Sequence, residues 1–104
     1  MALEITDGNI KETLEANKIT VLQFSAEWCG PCRMLGPIIE ELASDNTDIA
    51  IGKVNVDENS NAAVQYGIRG IPAIIFFKDG QVIETLVGVQ SKANLQAKID
   101  SLKA

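Results

Sequence analysis

The stretch "ITVLQFSAEWCGPCRML" (residues 19–35) contains the only two cysteines of the chain, Cys29 and Cys32. Residues 19–26 are rich in β-branched and apolar side chains, which predicts a buried strand with Gln23 as its odd member. Apolar residues then recur at helical spacing from Leu35 onward. A strand that leads directly into a helix places both thiols at the start of that helix.

The rest of the sequence alternates between strand and helix patterns and ends with a hairpin and a helix. Alternation followed by a hairpin predicts an α/β fold with a mixed sheet of about five strands, flanked by about four helices. We expect residues 1–104 to form one domain. The other predicted strands are residues 3–5, residues 49–57 and the two strands of a hairpin over 73–88, which turns at Asp79-Gly80. The other predicted helices are residues 6–17, 58–66 and 91–104. Their expected N-caps are Thr6 or Asp7 for the first, Asp57 for the second and Ser91 for the third.

Composition excludes several classes of protein. The 104 residues are 46% hydrophobic with a net charge of −5, so a hydrophobic core is expected and the basic cluster that nucleic-acid binding needs is missing. No apolar run approaches the roughly 20 residues of a membrane helix, and the N-terminus does not resemble a signal peptide. We therefore expect a cytoplasmic monomer, in a compartment where thiols stay reduced.

The position of the cysteines favours redox chemistry. Free N–H groups and the helix dipole at a helix N-terminus stabilise a thiolate, so we expect the pKa of Cys29 to lie below that of a free cysteine. Pro31 suits the first helical turn, and Gly30 lets a partner approach closely. Cys32 follows one turn later, behind an exposed Cys29. This spacing predicts a two-step exchange, in which Cys29 attacks a foreign disulfide and Cys32 then attacks Cys29.

Three other readings of the pair remain open but are weaker. A structural staple would close a very short loop and stabilise little. A zinc site needs four ligands, and the chain has two cysteines and no histidine. Two inert buried cysteines would not need a strand-to-helix junction flanked by Trp, Gly and Pro.

Two motifs carry a resemblance that covers essentially the whole chain. "AEWCGPC" (26–32) resembles the active-site motif of the thioredoxin family, and "YGIRGIP" (66–72) resembles the second signature of that family. The resemblance implies the thioredoxin fold and a protein-disulfide reductase, with Cys29 as nucleophile, Cys32 as resolving cysteine and a redox disulfide between them. It also implies a cis peptide bond before Pro72. The implied apolar surface for substrate binding consists of Trp28, Gly30, Pro31, Ile71, Pro72, Gly88 and Val89.

The resemblance further implies two kinds of partner. Disulfide-containing client proteins would be substrates, and a thioredoxin reductase would restore the dithiol. The NADPH and FAD of that reaction belong to the reductase, and we expect no bound cofactor or metal in this chain, where nothing resembles a dinucleotide site. A different class of function also remains open, in which the "GIP" surface docks a partner and the dithiol is secondary.

Two residues depart from the family pattern. Gln23 stands where the family has a buried aspartate that is thought to move the proton of the resolving cysteine, and Ser25 stands where it usually has tryptophan. An amide can orient water but cannot act as a base. We therefore expect slower resolution by Cys32 and a tuning role for Gln23. Lys53 matches the lysine that lies near the aspartate, and it is expected either to bond Gln23 or to extend into water.

Overall fold

A mixed sheet of five strands forms the centre of the computed structural model, which describes residues 1–104. The strands lie in the order β1-β3-β2-β4-β5, with β1, β3 and β2 parallel and with β4 and β5 antiparallel to their neighbours. The predicted numbers of strands and helices are confirmed. In chain order the elements are β1 (Leu3–Ile5), α1 (Ile10–Ala16), β2 (Ile19–Ser25), α2 (Gly30–Asp45), β3 (Ala50–Asn55), α3 (Ser60–Gln65), β4 (Ala73–Lys78), β5 (Gln81–Val87) and α4 (Lys92–Lys103).

Each face of the sheet carries its own hydrophobic core, because successive side chains of a strand point to opposite faces. In β2, Leu22 and Phe24 pack toward α1 and α3, whereas Val21 packs toward α2 and α4. In β4, Ile75 and Phe77 belong to the core on the side of α1 and α3, whereas Ile74 and Phe76 belong to the core on the side of α2 and α4. Gln23 lies two residues after Val21 and therefore points to the same face of the sheet, toward α2.

A glycine allows β1 to lie against β3. A Cβ on Gly52 would come within 2.5 Å of Ile5 Cγ1 and 3.0 Å of the Leu3 carbonyl oxygen. The contact with Ile5 is shorter than real Cβ atoms adopt and the contact with the Leu3 backbone is tight, so a side chain at this position would require β1 to shift. The sequence pattern alone does not reveal this requirement.

The hairpin turn follows the prediction. Asp79 and Gly80 have φ values of 53° and 79° and connect β4 to β5. Positive φ at both positions is what a tight turn between twisted antiparallel strands requires, and Asp-Gly supplies it at low cost. The predicted cap of α4 is also confirmed, since Ser91 Oγ accepts a 3.0 Å hydrogen bond from the backbone N–H of Asn94.

Two other predicted caps are wrong. The helix α1 begins after Asn9, and neither Thr6 nor Asp7 caps it. The carboxylate of Asp7 instead accepts from the backbone N–H of Ala62 at 2.8 Å, so it satisfies a free donor at the start of α3. Asp57 does not cap α3, which begins after Asn59. The hydrogen bond from Ala62 to Asp7 joins residues 55 positions apart, a separation that local sequence rules do not cover.

None of the helices combines the length and the apolar character that a membrane crossing requires.

Candidate active site

The two cysteines lie where β2 gives way to α2. Cys29 is the N-cap residue of α2, and its Sγ accepts a 3.3 Å hydrogen bond from the backbone N–H of Cys32. Pro31 occupies the first turn, where a missing N–H costs nothing. The free N–H groups and the dipole of a 16-residue helix are therefore directed at the sulfur of Cys29.

Cys29 and Cys32 form a disulfide, with their Cα atoms 5.3 Å apart. As residues they are 5% and 4% exposed. The expectation of an exposed Cys29 in front of a shielded Cys32 is therefore wrong for this disulfide state. Val56 and Ile71 pack against the small buried cluster that the two cysteines form with Ala26.

The loop before β4 brings backbone groups to the sulfur of Cys29. Its Sγ lies 3.9 Å from the carbonyl oxygen of Ile71, and the Ile71–Pro72 peptide bond is cis. Pro72 is buried and has no N–H to donate, while its carbonyl accepts a 2.8 Å hydrogen bond from the N–H of Gly88. Gly88 has a φ of 97°, a value that favours glycine. The structure thus brings Ile71, Pro72 and Gly88 together beside Cys29.

The remaining residues of the expected apolar surface are open to solvent. Trp28 is 70% exposed and Val89 is 44% exposed, and Gly30 and Pro31 are exposed as well. The indole Nε1–H of Trp28 donates a 2.9 Å hydrogen bond to the carboxylate of Asp57. An exposed aromatic ring held in one orientation suits contact with another protein.

Asp57 is a site residue that sequence reasoning missed in this role. It follows the end of β3, and Trp28 follows the end of the parallel neighbour β2. Because the carboxyl ends of parallel strands meet at one edge of a sheet, residues just beyond both strands are candidates for contact. That topological signal was present in the sequence.

Gln23 is 1% exposed and lies directly behind the cysteines. Its Nε2 donates a 3.4 Å hydrogen bond to the carbonyl oxygen of Cys32, and its Oε1 has no hydrogen-bond partner. A buried acceptor without a partner is costly, so this atom requires an explanation.

Lys53 lies beside Gln23 in the sheet register but does not bond it, so of the two expected arrangements the bond to Gln23 is wrong. Its Nζ instead extends to the partly exposed carboxylate of Glu40 in α2 and forms a 2.9 Å ion pair with it. The backbone N–H of Ala2, at 2.8 Å, and then Lys53 hold the pKa of the Glu40 carboxyl below its usual range. Lys53, which matches the family's lysine, therefore pairs with Glu40 and not with the residue at position 23.

The structure contains no group of three or more His, Cys, Asp or Glu side chains arranged to hold a metal ion.

Comparison with known proteins gives a consistent result. The sequence model of the family described as Thioredoxin matches residues 1–101. Thioredoxin 2 of Chlorobaculum tepidum is 50% identical over 99 residues, which cover 93% of this chain and 91% of that protein. Thioredoxin 1 of Synechococcus elongatus is 44% identical over 102 residues, which cover 96% of this chain and 95% of that protein.

Solved structures match over nearly the full length. A mutant thioredoxin from Halobacterium salinarum superposes with a TM-score of 0.92 at 38% identity, over 99% of this chain and 91% of that chain. The thioredoxin of Malassezia sympodialis superposes with a TM-score of 0.88 at 37% identity, over 100% of this chain and 92% of that chain.

Proposed function

Because this chain belongs to the thioredoxin family, whose members are disulfide oxidoreductases, we propose that Cys29 is its attacking thiol and Cys32 its resolving thiol. The fold is the thioredoxin fold, and the Cys29–Cys32 disulfide is the redox-active group of the chain. The single observation that carries the assignment of roles is the hydrogen bond from the N–H of Cys32 to Cys29 Sγ at the N-terminus of α2.

The first step begins from the reduced protein. The thiolate of Cys29 attacks one sulfur of a client disulfide and forms a mixed disulfide, while the other client sulfur leaves as a thiolate and takes up a proton. The N–H of Cys32 and the dipole of α2 stabilise the attacking thiolate.

The second step uses Cys32. Its thiol loses a proton, and the resulting sulfur attacks Cys29, which forms the Cys29–Cys32 disulfide and releases the second client sulfur as a thiolate that is then protonated. Two electrons have moved from the cysteine pair to the client, whose two sulfurs take up the proton released by Cys32 and one proton from solvent. The cysteines are close enough for this bond, with a Cα separation of 5.3 Å.

The client is proposed to dock on the exposed apolar surface around the disulfide. Trp28 supplies a fixed aromatic contact through its bond to Asp57, and the backbone of Ile71 lies next to Cys29. An extended client peptide would pair with the Ile71 backbone in the manner of strand addition. Gly30, Pro31, Gly88 and Val89 would complete this surface, with buried Pro72 beneath it.

We propose disulfide-bonded proteins as clients and a thioredoxin reductase as the electron donor, with NADPH and FAD on the reductase. Family membership supports both kinds of partner. We also propose that residues 1–104 act as one domain, since all four helices pack on one sheet, and that the protein works in the cytoplasm, where thiols stay reduced.

The test is turnover of a small disulfide-bonded protein with dithiothreitol as electron source. We expect the wild type to accelerate reduction, Cys29→Ser to be inactive, and Cys32→Ser to accumulate a mixed disulfide visible by mass spectrometry. A wild-type rate equal to that of dithiothreitol alone would contradict the assignment and favour a docking role for the "GIP" surface.

A further inference from the structure

A cavity of about 200 Å³ lies behind the active-site disulfide, between β2, β3 and the first turns of α2. We call it the rear cavity. Exposed Glu27 and Arg33 belong to its wall, so it reaches solvent, whereas buried Gln23 and Cys32 also line it. The lining residues are Gln23, Ser25, Ala26, Glu27, Cys32, Arg33, Gly36, Lys53 and Asn55.

The unpaired oxygen of Gln23 indicates what the rear cavity holds. The carbonyl of Cys32 can only accept, so the amide nitrogen of Gln23 faces it and Oε1 is left without a protein donor. A buried acceptor normally finds a partner in protein or in ordered water. Because Gln23 lines the rear cavity, its missing donor must come from there.

The two cations on the wall of the rear cavity already have partners. The Arg33 guanidinium donates to the Glu27 carbonyl at 2.9 and 3.2 Å, and Lys53 pairs with Glu40 at 2.9 Å. An anionic ligand would have to displace one of these contacts. A neutral molecule that both donates and accepts meets the need without any such loss, and the side chains of Ser25 and Asn55 provide further polar contacts.

We propose that water held in the rear cavity by Gln23 carries the proton of Cys32 to bulk solvent, which makes Gln23 a positioning residue for the resolving step. This inference rests on the proposed function. Before resolution, the Cys32 thiol gives its proton to this water, which passes it to solvent. The Cys32 thiolate then forms the bond to Cys29 and the client sulfur leaves.

The groups that face Cys32 are consistent with this route. Glu27 comes from the loop before α2, Arg33 from α2 and Lys53 from β3, with Glu40 paired to Lys53. The only carboxylate on the cavity wall is that of exposed Glu27, so no buried carboxylate lies there to take the proton of Cys32. Water therefore provides the proton route that the Gln23 amide cannot provide by itself.

Stopped-flow reaction with 5,5′-dithiobis(2-nitrobenzoate) separates the two steps. Attack by Cys29 releases one coloured thiolate at a rate that depends on concentration, and resolution by Cys32 releases the second at a rate that does not. We expect Gln23→Leu to slow the second phase about tenfold near neutral pH and to leave the first unchanged. The effect is smaller than that of a positioned general base, which is typically 10²–10⁴-fold.

Two further variants probe the same route. Gln23→Glu restores an acceptor oxygen that can also act as a base, so its second phase should be at least as fast as that of the wild type. Ser25→Leu fills the mouth of the rear cavity without altering Gln23, and it should slow the second phase even if Gln23→Leu does not fold. In both slow variants the deficit should narrow as pH rises, because hydroxide then removes the proton directly.

The matched control is Thr20→Val. Thr20 is in the same strand, is 1% exposed and has an unpaired Oγ1, but it does not line the rear cavity. Both phases should match the wild type. An unchanged second phase in Gln23→Leu, or equal slowing of both phases, overturns the proposal. A Cys29→Ser variant that still released thiolate at the wild-type rate would instead overturn the proposed function.

Discussion

The backbone N–H of Cys32 donates a 3.3 Å hydrogen bond to the Sγ of Cys29, so the proposed resolving residue also stabilises the sulfur of the proposed attacking residue. One short segment thereby provides both the second thiol and part of the electrostatic field on the first. In the reduced protein this contact should favour the thiolate of Cys29 over its thiol.

The reactivity of Cys29 should therefore follow a lower pH profile than that of an ordinary thiol. We expect alkylation of the reduced Cys32→Ser variant by iodoacetamide to reach half its maximal rate at a lower pH than alkylation of glutathione in the same assay. Serine retains the backbone N–H that contacts Cys29. Coincident profiles would show that the N-terminus of α2 does not activate the sulfur.

The hydrogen bond between Trp28 and Asp57 should matter for protein clients. Asp57→Ala removes the 2.9 Å acceptor of the indole, and we expect the KM for a protein disulfide to rise about fivefold, since a hydrogen bond is worth a net of about 1 kcal/mol. Turnover of a small aromatic disulfide should be unaffected, and Asp57→Asn, which keeps an acceptor oxygen, should be nearly normal. A loss of equal size with both substrates would contradict a docking role.

Gly52 should be far less tolerant of substitution than a helical glycine. The Cβ of Gly52→Ala would meet Ile5 Cγ1 at 2.5 Å, and we expect a loss of about 1–3 kcal/mol in the free energy of unfolding. The control is Gly36→Ala, whose Cβ would meet only Lys53 Nζ at 3.8 Å. It should gain about 0.5–1 kcal/mol from helix propensity. Urea unfolding of both variants checks this prediction.

Glu40 should stabilise the fold in a pH-dependent manner. Because its pKa is lower in the folded state, its contribution is present above the ordinary carboxyl value of 4.5 and disappears as pH falls through the lower, folded value. The ion pair with Lys53 is partly exposed, since the side chain of Glu40 is 42% exposed. We therefore expect Glu40→Gln to lower the free energy of unfolding by only about 0.5 kcal/mol at pH 7. Thermal melting should show this difference narrowing below pH 4.5, and a difference that is independent of pH would argue against it.

Replacing Gln23 by aspartate should lower the stability of the fold and raise the rate of the resolving step. A carboxyl at this buried position has a raised pKa, so Gln23→Asp should lose stability as pH rises from the ordinary carboxyl pKa of about 3.9 toward the raised value, and regain it in acid. The same group would act as a base toward Cys32, so the second phase of the dithiobis(nitrobenzoate) reaction should become faster near pH 7. An equal or slower second phase, or an unchanged melting temperature, would contradict this expectation.

Periodicity and turn chemistry predicted the element order, the Asp79-Gly80 turn and the helix start at the cysteines because these features depend on neighbouring residues. Contacts between distant segments were not predictable in this way. Asp7 caps α3 across 55 positions, and the partner of Lys53 depends on how α2 lies on the sheet. The burial of Cys29 likewise depends on Ile71, which arrives from a separate loop.

The strand order of the sheet has a consequence for synthesis of the chain. The central strand β2 has β4 as one neighbour, and β4 starts only at Ala73. While the ribosome is still producing the segment up to that residue, one long, apolar edge of β2 has no partner. Unpaired apolar edges are where nascent chains associate with one another. The last third of the chain therefore shields the first two thirds from aggregation, and a truncated product that ends before β4 should be found in inclusion bodies or held by chaperones.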